Sequence, residues 1–144
     1  MITKLFKKTN KDKEIIDSNN LTKITALLIH AARIDDNYTN FEKEIIEKAL
    51  IDLNLVKIDE TAKLLKKAEE KEKQSNQIIE FTKEIKKKPL EFRLKIVEIL
   101  WKIVYSDSVS DSFESNLIRR VCGLLYISDK DSGVIKEKIR NSIK

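Results

Sequence analysis

The sequence predicts an all-α fold, a single compact bundle of about seven helices with an internal helix-turn-helix pseudo-repeat. Three observations carry this. Gly 2 and Pro 1 in 144 residues argue against β-hairpins, sandwiches and Gly-rich phosphate loops. Apolar residues recur at three- and four-residue intervals along the chain, and no segment reads as a strand. Residues 31–55 match residues 103–127 at a fixed offset of 72. Asp35 falls on Asp107, Phe41 on Phe113, Glu42 on Glu114 and Leu53 on Leu125. The length suits one domain, with a Lys-rich lead-in at 1–19 and a helical domain at 20–144.

Within residues 1–19, Lys accompanies a small apolar seed of Ile2, Leu5, Phe6, Ile15 and Ile16. That composition suits a frayed lead-in, a short docking helix or a weak surface anchor. The first helix runs Leu21–Ile34, with Leu21, Ile24, Leu27, Leu28, Ala31 and Ala32 on an amphipathic face. It stops at Asp35-Asp36-Asn37, a turn-forming run. Thr39-Asn40-Phe41-Glu42 is a Thr-x-x-Glu capping box, which opens the second helix. Phe41, Ile45, Ile46, Ala49, Leu50 and Leu53 give that helix a broad core face, and Asn54 closes it.

A third helix starts at Asp59, carries Leu64, Leu65 and Ala68, and ends in the charged stretch Glu69–Lys73. A fourth spans Asn76–Lys87 with Ile78, Ile79, Phe81 and Ile85. Lys86-Lys87-Lys88 suits a helix C-terminus, where the macrodipole favours cations. Pro89 suits the first turn of the fifth helix, Pro89–Ser106. That helix is the most apolar and, with Trp101, is expected at the centre. Asp111-Ser112-Phe113-Glu114 is a second capping box, opening a sixth helix with Leu117, Ile118, Val121, Leu124 and Leu125. Ser128–Asp131 caps a seventh that carries Val134, Ile135, Ile139 and Ile143.

The net charge is +5, yet Arg occurs only at positions 33, 93, 119, 120 and 140. Arg is the side chain that makes bidentate phosphate and guanine contacts, and the Lys residues are interleaved with Glu. No nucleic-acid partner is expected; a protein partner is. The single Cys122 excludes an internal disulfide and a multi-Cys metal site, and it reads as a small buried hydrophobe. No apolar run reaches the roughly 18–20 residues of a membrane span. Met1–Lys8 is basic without a following apolar region, so it does not read as a secretory signal. A soluble, cytoplasmic protein is expected, with at most weak peripheral membrane contact through the N-terminus. No nucleophile with a base partner and no oxyanion turn are evident, so the protein is not expected to be an enzyme.

The carboxylates of the two turns divide into two kinds. Glu42 and Glu114 sit at the third position of capping boxes, with Thr39 and Asp111 as caps, and helix starts explain all four. Asp35 and Asp107 instead fall at helix C-terminal ends, where the dipole disfavours anions. A hydrogen bond to the turn backbone, an Arg partner (Arg33, Arg119 or Arg120) or a bound cation would compensate. The turns offer oxygen ligands only, which suits a divalent Ca, Mg or Mn ion. The lone His30 and the absence of a nearby Cys argue against zinc. These are not EF-hands: counted from Asp35 or Asp107, position 12 is Ile46 or Ile118.

The stretch Ala31–Glu42 and the stretch Leu100–Glu114, followed by Ile118–Leu125 and Ser128–Asp131, resemble the TerB-like family, named for tellurite resistance protein B. The resemblance covers most of residues 21–140. It implies a compact helical domain with internal pseudo-symmetry. It also implies metal-binding acidic turns and a non-enzymatic part in metal or chemical stress response at the inner face of the membrane. By position the family's acidic residues are Asp35, Glu42, Asp107 and Glu114, with Asp36 and Asp111 as further candidates. No other cofactor is implied. One departure stands out: where the family has Ala-Asp-Gly, this chain has Ile34-Asp35-Asp36 and Ser106-Asp107-Ser108.

Overall fold

Apolar spacing and capping residues set where the helices start and stop. The computed structural model describes residues 17–34, 38–75, 77–106 and 112–143, the side chains of 112–115 and 143 excepted. Among these, seven α-helices form: α1 Ser18–Arg33, α2 Asn40–Asp52, α3 Thr61–Gln74, α4 Ile78–Thr82, α5 Leu90–Tyr105, α6 Ser112–Leu124 and α7 Asp129–Ile143. Short 3₁₀ turns at Ile58–Glu60 and Ile85–Lys87 lead into α3 and follow α4. No described residue is in a strand.

The pseudo-repeat is written in the backbone as well as in the sequence. The C-cap N–H of Ile34 donates to Ala31 at 3.5 Å, and that of Ser106 donates to Ile103 at 3.2 Å. Asn54, the expected stop of the second helix, takes a left-handed φ of 59°, and Tyr126 takes 58° at the same +72 offset. Around Asn54, Leu55 N–H reaches Leu50 C=O at 3.0 Å and Asn54 N–H reaches Ile51 C=O at 2.9 Å. Around Tyr126, Ile127 reaches Cys122 at 2.8 Å and Tyr126 reaches Gly123 at 3.4 Å. Both are Schellman closures, which satisfy the last carbonyls of a helix. Thus α1-α2-α3 is repeated as α5-α6-α7, with α4 between them.

In each copy the first and third helices pack together most extensively, and α1 and α5 also pack on each other. This makes α1 more central than its amphipathic pattern suggests. Residues Ile24–Ile29 are all buried, because α2, α3, α4 and α5 surround the helix. Thr25 is tolerated there since its hydroxyl donates to Leu21 C=O at 2.8 Å. Helix α5 buries Ile96, Val97, Ile99, Leu100, Trp101, Ile103 and Val104, as its expected central place requires.

Several expectations need correction. The first helix begins at Ser18, three residues early, because the Asp17 side chain caps it by accepting from Asn20 N–H at 2.8 Å. The expected fourth helix is broken: α4 ends at Thr82 and the chain tightens into 3₁₀ bonds. Pro89 sets where the 3₁₀ turn stops: the residue before a proline avoids helical dihedrals, and Lys88 has ψ 162°. Pro89 itself is the cap of α5 rather than its first residue. Phe41 is 58 % exposed, not core. The buried line of α2 is Glu42, Ile46 and Leu50, at i, i+4 and i+8, and Phe41 lies roughly 100° to one side. Val134, expected on the core face of α7, is 64 % exposed. Cys122 is buried as expected, and burial raises its thiol pKa.

Candidate functional site

Positions 35–37 are flanked in the chain by the last turn of α1 and by Tyr38 and Thr39 before α2, and α3 packs against both helices. The core face of α3 runs Thr61, Leu64, Leu65, Ala68, and the same spacing continues to Glu72. Glu72 therefore points toward the molecule where the apolar stripe runs out, its side chain only 12 % exposed. Two α1 residues meet it. Arg33 Nη1 donates to Glu72 Oε1 at 2.8 Å, and His30 Nδ1 lies 3.0 Å from Oε2. A carboxylate oxygen accepts, so His30 Nδ1 is the donor in this contact.

One turn earlier on α3, Glu69 accepts from the Tyr38 hydroxyl at 2.9 Å and pairs with Lys43 at 3.4 Å. The Tyr38 ring lies under two cations, Arg33 at 5.1 Å and Lys43 at 5.0 Å. Burial, then the hydrogen bond and charge of Glu69, push the Tyr38 phenol well above its usual range, with Arg33 pulling the other way. The residues on both sides of positions 35–37 are thereby tied to α3. Such charge-assisted bonds fix geometry well. The set is equipped to position a turn.

Glu42 follows immediately. Its Oε1 accepts from Thr39 N–H at 2.9 Å and from Thr39 Oγ1 at 3.2 Å, while Glu42 N–H donates to Thr39 Oγ1 at 3.1 Å. This is the expected capping box, and it buries Glu42 to 2 % exposure. Of the candidate ligands, Asp35, Asp36, Asp107, Asp111 and the Glu114 side chain lie outside the described residues. Among the described residues, no three His, Cys, Asp or Glu side chains come together as metal ligands.

The cluster belongs to the first copy alone. At +72, His30 and Arg33 become Lys102 and Tyr105. There the neighbourhood is aromatic: Trp101 and Tyr105 stack at 5.9 Å, and Trp101 Nε1 donates to Ser132 Oγ at 3.1 Å. Sequence reading passes over Glu69 and Glu72, because Glu69–Lys73 looks like a solvated helix end. The available signal was spacing, since Glu72 stands four residues beyond Ala68 and seven beyond Leu65 on the buried stripe.

No described helix is long and apolar enough to cross a membrane. No curated protein and no solved structure gives a significant match to the chain. The family model of tellurite resistance protein TerB matches residues 21–137. That match spans both copies of the repeat, from α1 into α7, and on it the chain belongs to the TerB family.

Proposed function

We propose that this protein is a non-enzymatic, cytoplasmic TerB module that binds a divalent cation through its acidic turns and acts in metal or chemical stress response. The ligands would be Asp35 and Glu42 in the first copy and Asp107 and Glu114 in the second. The observation that carries the reading is the engagement of Arg33 by Glu72 at 2.8 Å. Asp35 follows α1, whose C-terminal dipole disfavours an anion. Arg33 is the nearest cation in sequence, and it is held by α3. A hard cation on an all-oxygen donor set supplies the missing positive charge. The test is calorimetric titration with Ca²⁺ and Mn²⁺ on the full chain. Binding should vanish in the double variant Asp35→Asn, Asp107→Asn with folding intact. Absence of heat at millimolar ion in the wild type rules the reading out.

A second reading, a helical protein-interaction domain whose carboxylates only cap helices, is favoured by the complete Thr39–Glu42 capping box. Glu42→Gln separates the two. Gln at this position still closes a capping box, but it removes a charge. A pure cap should tolerate the change within about 1 kcal/mol and leave titration heats unaltered. A ligand role requires those heats to fall.

A further inference from the structure

We draw no further inference here: the strongest candidate, the side-chain cluster in which Glu69 and Glu72 of α3 hold Tyr38 and Arg33 on either side of positions 35–37, belongs to the site already described, and the turn that it would position lies outside the described residues.

Discussion

Tyr38 stands where α1, α2 and α3 are tied together, and its hydroxyl is the simplest handle on that junction. Removing it in Tyr38→Phe deletes a hydrogen bond to a carboxylate and should cost about 1–2 kcal/mol in urea unfolding. The pH dependence has a definite sign. The folded phenol is held protonated by burial and by Glu69, so its folded pKa exceeds the unfolded one. Its contribution is then full below the unfolded value of about 10 and declines as pH climbs above it. Wild-type stability should fall more steeply than that of Tyr38→Phe above this point, and parallel alkaline limbs would refute the assignment. Glu72 is the second handle. Glu72→Ala leaves Arg33 and His30 without their shared acceptor, at a cost near the low end of about 1–3 kcal/mol. The low end applies because both partners are about a quarter exposed and water replaces part of the loss. A double-mutant cycle with Arg33→Ala should show positive coupling between the two sites.

Helix ends make the strongest element-scale statements. Tyr126 holds a left-handed conformation at the close of α6 while its side chain is 71 % exposed. Glycine adopts that conformation without steric cost, so Tyr126→Gly should stabilise the protein by about 1 kcal/mol. Asn54→Gly should gain less, since Asn already tolerates the left-handed region. Gly133 lies inside α7 with open space around an added Cβ, so Gly133→Ala should add about 0.5–1 kcal/mol. Thermal melts of the three variants check these directions. The same ends show what the sequence exposes to reading and what it hides. Caps were legible because they are local: Thr39 with Glu42, Ser128 with Asp131 N–H at 3.1 Å, and Asn54 all behave as their residue types require. The break after Thr82 was hidden because Ile78, Phe81 and Ile85 keep helical spacing across it. The Glu69–Glu72 cluster was hidden because its partners lie 26 to 42 residues away and only packing of α3 on α1 and α2 brings them together.

At the scale of the whole molecule, the two copies do not form two domains. α1 packs against α5, the first helix of each copy touching the other, and α4 bridges α1 to α6. The buried side chains of both copies form one apolar cluster, with Leu28 and Trp101 as members from different halves. A shared core of this kind should unfold as a unit. Leu28 is fully buried, so Leu28→Ala should cost about 2–5 kcal/mol through lost transfer energy and the cavity left behind. The informative measurement is where that loss is felt. Trp101 is the protein's single Trp and lies in the second copy, so its fluorescence reports on that copy alone. Helical circular dichroism reports mainly on both copies together. If the core is shared, Leu28→Ala should move the Trp101 transition to lower urea by the same amount as the circular dichroism transition, with the slope unchanged. A Trp101 midpoint that stays at its wild-type value while helicity is lost in two steps would show the copies to be independent units, despite the contact between α1 and α5.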